Sequence, residues 1–205
     1  MSMMILDAEL EARLRAQRRM WGADKFDEVW GGVYMMAPLL NDEHQEIVAR
    51  LIRVFEEVLG DAGLARVRAG VNLAGLDADD WTLDFRVPDV AVFLRDTAAE
   101  NCDTHWRGPA DFLIEVTSPG DRTREKLSFY ANLGVKEVLL VERAGWSLEL
   151  FRHDGAELKP VGVSSLDAPG VVRSGTVPFT FELLDGDKRP AVRVTHVESA
   201  RRWNV

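Results

Sequence analysis

DFLIEVTSP, residues 111–119, decides the fold, because an apolar run between polar and turn-forming residues is typical of a buried β-strand. Glu115 interrupts the run. Because side chains alternate along a strand, Glu115 lies on the other face of the sheet from Ile114 and Val116. A carboxylate in mid-strand is costly to bury without a partner. A divalent cation is one such partner, since magnesium accepts one or two carboxylates and keeps several waters.

Two more strands are predicted upstream, at residues 83–87 and 90–94, and they flank a break at Pro88-Asp89. Asp89 therefore opens the second strand. A polar connector over residues 95–109 leads from there to the central strand. Carboxylates from two neighbouring strands, together with a main-chain carbonyl, would suit a magnesium ion.

Downstream, Ser118-Pro119-Gly120-Asp121 predicts a turn that leads into a helix over residues 122–133, which Gly134 ends. Leu127, Tyr130 and Leu133 are its expected buried residues. Strands over 135–142 and 147–152 form a predicted hairpin around Ala144-Gly145. The turn folds the helix back toward the central strand.

The remaining elements complete a mixed pattern. The last twenty residues are polar, and we expect them to fray. The other predicted elements are a charged amphipathic helix over 5–20, a hairpin over 28–37 turned at Gly31-Gly32, a helix over 43–60 capped by Asn41 or Asp42, a strand over 64–73 and a strand over 177–184.

This order of elements predicts an α/β (α+β) protein with a mixed β-sheet flanked by helices. It lacks the strict βαβα alternation of a doubly wound fold. No GxGxxG, Walker, nucleophile-elbow or HExxH motif occurs. We expect a helical extension over residues 1–25, one main domain over 26–185, and a C-terminal tail over 186–205.

The composition is that of an ordinary globular protein, with 46% hydrophobic and 29% charged residues. No apolar run reaches the ~18 residues of a membrane span, and the N-terminus does not resemble a secretory signal. The single cysteine, Cys102, fits a cytoplasmic location. The net charge of −9 argues against broad coating of nucleic acid, but not against a nuclease whose basic residues line one face.

Several segments together resemble one family. They are GGVYMMAP at 31–38 followed by His44, PDVAVF at 88–93, the central strand, a helix with K-x-x-x-Y, GVKEVLLVE at 134–142 and VPFTFELLD at 177–185. In this order they are similar to the Uma family of restriction-endonuclease-like proteins, a branch of the PD-(D/E)xK nuclease superfamily. The resemblance covers roughly residues 26–185 and implies a restriction-endonuclease-like fold.

The resemblance also implies a site. Asp89 and Glu115 would be the acidic pair that binds Mg²⁺ or Mn²⁺, with the carbonyl of Val116 as a candidate third ligand. In the simplest superfamily motif a lysine follows the second acid by two positions, but Thr117 stands there. Lys126, on the next helix, matches the displaced lysine of this family.

Two residues of the N-terminal block are candidate supporting residues. His44 lies in the first turn of the predicted helix over 43–60 and is either a site residue or a surface or capping residue. Family members often carry a glutamate after the hairpin glycine, where this chain has Gly32. Glu28 is a candidate substitute, although it precedes the turn.

Each candidate also has a structural alternative. Asp89 can simply start a strand after Pro88, and Glu115 can lie on a solvated sheet face. Lys126 can be an exposed helix residue near Arg122 and Glu125. The sequence alone leaves these alternatives open.

Two functions remain as hypotheses. The first is a metal-dependent endonuclease that hydrolyses DNA, with Asp89, Glu115 and Lys126 as catalytic residues. The second is a weakly active or inactive nuclease-fold module that binds a protein or a nucleic acid. The acidic charge and Gly32 favour the second, and metal binding discriminates between them. The resemblance implies DNA as substrate, and a homodimer stays open.

Overall fold

The computed structural model describes residues 3–118 and 120–205 and shows mixed sheets flanked by a few helices, as predicted. None of the helices in these residues is long and apolar enough to cross a membrane. The helices are α1 (Ala8–Met20), α2 (Asp42–Phe55), which continues as a π-helical turn (Glu56–Gly60), and α3 (Lys126–Leu133), with 3-10 turns at Trp81–Leu83 and Thr123–Glu125.

The strands form three sheets of seven, six and four strands. In chain order they are β1 (Met3–Ile5), β2 (Glu28–Trp30), β3 (Val33–Met36), β4 (Ala65–Ala69), β5 (Leu73–Ala74), β6 (Phe85–Arg86), β7 (Val90–Leu94), β8 (Glu100–Asn101), β9 (Trp106–Arg107), β10 (Phe112–Val116), β11 (Glu137–Glu142), β12 (Ser147–His153), β13 (Leu158–Ser165), β14 (Val172–Arg173), β15 (Phe179–Leu184), β16 (Ala191–His196) and β17 (Arg202–Asn204).

The six-stranded sheet, in the order β13-β12-β11-β10-β7-β4, forms the centre of the molecule. Strand β10 runs parallel to β11 and antiparallel to β7. The connection from β10 to β11 contains α3, as parallel neighbours require a crossover. The N-terminal sheet runs β1-β3-β2-β6-β5-β9-β8, and the C-terminal sheet runs β14-β15-β16-β17.

Strand β10 separates two layers of core, because its side chains alternate between the faces of the sheet. Phe112, Ile114 and Val116 pack with α2 and the C-terminal sheet, where Phe55 and Phe179 have ring centroids 4.7 Å apart. Leu113, on the other face, packs with α3. Glu115 has the parity of Leu113 and therefore lies on the α3 face.

The register between β10 and β7 positions the acidic residues. Leu113 pairs with Ala91 and Ile114 with Val90. The next residues along these antiparallel strands are Glu115 and Asp89, so they are cross-strand neighbours on the same face.

Helix α3 starts later than predicted, because its first turn, Thr123–Glu125, is 3-10. The helix ends where predicted: Gly134 adopts a left-handed φ of 90°, which glycine tolerates without steric cost. The hairpins of β2–β3 and β11–β12 and the Asn41 cap of α2 also match the prediction.

Several predictions were wrong in extent. The strand over 64–73 is divided into β4 and β5, which belong to different sheets. The helix over 5–20 begins at Ala8, because residues 3–5 pair with β3. The connector over 95–109 contains β8 and β9, which pair with each other. The last twenty residues do not fray: β16 pairs with β15 and β17, and Trp203 and Val205 are buried.

Candidate active site

Asp89 is held on both carboxylate oxygens. Its Oδ1 lies 3.0 Å from His44 Nε2, and its Oδ2 accepts a 2.7 Å hydrogen bond from the Val116 N–H. His44 is buried in the first turn of α2, where its own N–H donates to the Asn41 cap. These contacts fix Asp89 beside the end of β10. Asp89 therefore does not only start a strand after Pro88, because its carboxylate also connects α2 to the end of β10.

Glu115 is buried and faces α3. Lys126 Nζ lies 3.2 Å from its Oε1, and the Tyr130 hydroxyl donates to the same oxygen. The side chain of Lys126 is only 13% exposed. The alternatives of a solvated Glu115 and a solvated Lys126 are therefore wrong.

Glu28 joins this group from the N-terminal hairpin. Its Oε1 lies 2.8 Å from Lys126 Nζ and accepts a 2.8 Å hydrogen bond from the Val87 N–H. Its Oε2 accepts a 2.6 Å hydrogen bond from Trp30 Nε1. Because all of these contacts are direct, Glu28 brings a third carboxylate to the group.

Gly32 occupies the turn of that hairpin. It has a φ of +84° and donates its N–H to the Leu83 carbonyl over 2.7 Å. Glu28 lies at the opposite end of the strand that precedes the turn, and its side chain lines the cleft. The acid that the family often carries after the hairpin glycine is thus absent, but Glu28 reaches Lys126 from the same hairpin.

The candidate residues line one cleft of about 80 Å³. Glu28, His44, Asp89, Glu115 and Lys126 all contribute to its walls, and the main chain at Val116 lies beside them. At its rim, the Arg122 guanidinium lies 5.4 Å from the centre of the Trp30 ring and pairs with Glu125. Every site residue that we predicted therefore borders the same space.

The cleft has more acid than base. Burial, with the neighbouring Asp89 and Glu28 carboxylates, raises the pKa of Glu115 to about 8, although Lys126 acts in the opposite direction. Burial lowers the pKa of Lys126, but the Glu115 and Glu28 carboxylates outweigh it and raise that pKa above its ordinary value. Lys126 therefore stays an ammonium, whereas burial among other carboxylates favours the protonated form of Glu115.

The oxygen donors fit a hard divalent cation with a small protein ligand set. Asp89 and Glu115 supply two adjacent carboxylates, which is the number that magnesium usually takes from a protein. Within residues 3–118 and 120–205, no three His, Cys, Asp or Glu side chains are grouped as metal ligands. Water, main-chain oxygen and substrate would have to complete the coordination shell.

Tyr130 is a site residue that sequence reasoning assigned only to the core. It is fully buried, and its hydroxyl contacts Glu115. Burial and the Glu115 carboxylate raise its pKa well above the ordinary value, so it remains a hydrogen-bond donor. The signal was present in K-x-x-x-Y, because residues four apart share a helix face.

Comparison with known proteins agrees with this fold. A solved structure from Anabaena variabilis ATCC 29413, described as a putative nuclease belonging to DUF820, is 17% identical, with a TM-score of 0.57. The match covers 72% of this chain and 80% of that one, and at this identity it shows the fold alone. No curated protein matches the chain significantly.

The family model gives the stronger result. The model of Uma2, described as "Putative restriction endonuclease", matches residues 19–185, which is most of the chain. This range contains every residue that lines the cleft. Enzymes with a restriction-endonuclease-like fold generally use divalent metal ions. On this match, the chain belongs to the Uma2 family.

Proposed function

We propose that the protein is a metal-dependent endonuclease that hydrolyses phosphodiester bonds in DNA. The observation that carries the proposal is the position of Lys126, which bridges Glu28 and Glu115 in the cleft that Asp89 also lines. Two adjacent carboxylates and a buried ammonium can serve a hard cation and a phosphate at once. Family membership supports the same chemistry.

Asp89 and Glu115 are the proposed ligands of Mg²⁺ or Mn²⁺, with the Val116 carbonyl as a third oxygen donor. When bound, such an ion polarises the scissile phosphate and lowers the pKa of water. His44 and the Val116 N–H keep the Asp89 carboxylate in place. Tyr130 does the same for Glu115.

Lys126 has one of two conceivable roles, and its surroundings select between them. A general base must give up its own proton, but Glu115 and Glu28 raise the pKa of Lys126 above its ordinary value. The ammonium is therefore suited to neutralise charge that develops on the phosphate. Its contacts with both carboxylates position it for that role.

The test is cleavage of supercoiled plasmid and single-stranded DNA with Mg²⁺ or Mn²⁺, with and without chelator. We expect metal-dependent cleavage that Lys126→Met reduces about 100-fold or more. Lys188→Met is the matched control, since Lys188 is an exposed loop residue. Equal cleavage by wild type and Lys126→Met, or cleavage that persists in chelator, would contradict the proposal.

A second function, binding of a protein or nucleic acid by a weakly active or inactive nuclease fold, has two structural observations in its favour. The described residues contain no group of three metal-binding side chains, and Lys126 already contacts two of the carboxylates. A protein with this function would show no manganese-dependent rise in melting temperature. Thermal melts of wild type and Glu115→Gln with manganese and with chelator separate the two functions.

A further inference from the structure

A second cavity adjoins the acidic cleft and is several times larger, at about 350 Å³. The two spaces share Asp89 and a wall formed by Phe26, Ala37, Pro38 and Leu40. A molecule whose reacting group lies at Asp89 therefore has direct access to the second cavity. This size falls in the range of ordinary small-ligand pockets.

The walls of the second cavity are mostly apolar. They come mainly from three segments, the turn before β2, the loop before α2 and α2 itself, and Ala69, Gly70 and Asp89 complete the lining. The main apolar contributors are Phe26, Pro38, Leu40, Val48, Ala49 and Ile52.

Few polar groups face this cavity. Lys25 is exposed at its edge and makes no ion pair within residues 3–118 and 120–205. The Gln45 amide donates a 2.9 Å hydrogen bond to the Leu40 carbonyl. An occupant would be held chiefly by apolar and stacking contacts, with one cation near its edge.

Phe26 stands at the junction between the two spaces. It is 39% exposed, and its ring packs on Gly70, where an added Cβ would lie 2.7 Å from the Phe26 ring. Gly70 also has a φ of +55°, which favours glycine. The bare backbone at Gly70 thus lets the Phe26 ring pack closely against the end of β4, and the exposed part of the ring lines the cavity.

We propose that this second cavity is a nucleobase pocket, which holds an unstacked base next to the phosphodiester bond cleaved at Asp89. The inference rests on the proposed function and names its substrate class: single-stranded DNA, or DNA with an unpaired base. An apolar cavity with an aromatic wall accepts the π-face of any base. Because the lining is mostly apolar, we expect the pocket to hold purines and pyrimidines alike.

Binding is tested without cleavage, by NMR of methyl groups in metal-free Glu115→Gln. The probes are thymidine and deoxyadenosine, and 2-deoxyribose is the baseless control. We expect both nucleosides to shift the methyl signals of Val48, Ala49 and Ile52, and 2-deoxyribose to leave them unchanged. Shifts confined to methyl groups outside this cavity, or equal shifts with 2-deoxyribose, would overturn the pocket.

The second measurement uses a variant in which a large side chain fills the cavity. Ala49 is exposed on α2, so Ala49→Trp can occupy the cavity without entering the core, and Ala12→Trp makes the same change on the exposed face of α1. We expect Ala49→Trp to lower kcat/KM for single-stranded DNA about 5- to 150-fold, the equivalent of one lost base stack. Ala12→Trp, the control, should leave kcat/KM unchanged.

The outcomes separate the two proposals. DNA cleavage with no nucleoside-induced shifts, and with Ala49→Trp as active as Ala12→Trp, overturns the pocket and leaves the nuclease standing. Nucleoside shifts in a protein that does not cleave DNA support the pocket and contradict the nuclease. Preference for fully paired over single-stranded DNA would also overturn the inference.

Discussion

Two buried glutamates on adjacent strands of the central sheet differ in what surrounds them. Glu137 begins β11 and accepts hydrogen bonds from Arg152 Nε at 2.7 Å, the Gly175 N–H at 3.0 Å and the Ser174 hydroxyl. Glu115, on β10, shares one ammonium with Glu28 and lies beside Asp89. The comparison shows that burial alone does not mark a site.

The difference lies in how the negative charge is balanced. Glu137 ties the loop before β15 to the sheet, and each of its oxygens has several donors. Glu115 faces a cleft and has excess negative charge around it. Arrangements of the first kind stabilise a fold, whereas those of the second kind are common where function was selected.

The largest expected difference between the two glutamates is in the rate of DNA cleavage. Glu115→Gln should reduce metal-dependent DNA cleavage about 100- to 1,000-fold, because it removes one of two proposed carboxylate ligands. Glu137→Gln, below its melting temperature, should cleave at the rate of wild type. Initial rates on plasmid DNA measure both. Equal losses in the two variants would show that Glu115 acts through the fold.

The second expected difference is in the free energy of unfolding, where Glu137 rather than Glu115 should matter more. Glu137→Gln should lower the free energy of unfolding by on the order of 1–3 kcal/mol, since donors of residues 174–176 and Arg152 lose a charged acceptor. Glu115→Gln in chelator should be as stable as wild type or slightly more so, because it removes an ionisable group that is costly to bury beside two other carboxylates. Urea unfolding tests both. A large loss in Glu115→Gln alone would make Glu115 the structural glutamate.

The sequence predicted best the elements whose pattern is local. Helix α2 has a long apolar stripe and an Asn41 cap, and β10 is a continuous apolar run. The C-terminal strand β16 was missed although Val192 and Val194 are buried at alternate positions, because Arg193, Thr195 and His196 are polar. Strands β8 and β9 have two residues each, and β9 joins the sheet by pairing with β5, which is distant in sequence.

In the candidate site, too, local motifs predicted some residues, whereas contacts between distant segments could not be predicted. The family motifs led to Asp89, Glu115 and Lys126, and the helical spacing from Lys126 could have added Tyr130. That Glu28 reaches Lys126 could not be predicted, because the contact spans 98 positions and depends on how the N-terminal hairpin lies over the cleft. The apolar cavity beside Asp89 likewise combines segments that no local pattern connects.

The two glutamates should also differ in their effect on stabilisation by manganese. Manganese at about ten times its Kd should stabilise the wild type by ~1.4 kcal/mol, since a ligand of the folded state adds RT ln(1 + [L]/Kd). Glu137→Gln should keep this gain on its lower baseline, and Glu115→Gln should lose most of it. Thermal melts at several manganese concentrations provide the measurement. A wild type indifferent to manganese would contradict the metal site.

The smallest effect is a dependence of stability on pH that only one of the two glutamates should produce. In the folded protein burial raises the pKa of Glu115 to about 8, whereas the unfolded chain releases that proton near 4.5. Between these values the folded state holds an extra proton, so stability falls as pH rises, and the loss is complete above pH 8. From pH 7 to pH 8 the wild type should lose about 1 kcal/mol relative to Glu115→Gln.

Urea unfolding in chelator at both pH values measures this difference, and the subtraction cancels the other titrating groups. Parallel pH profiles for wild type and Glu115→Gln would mean that Lys126 keeps Glu115 ionised throughout, and that metal binding at this cleft releases no proton from it.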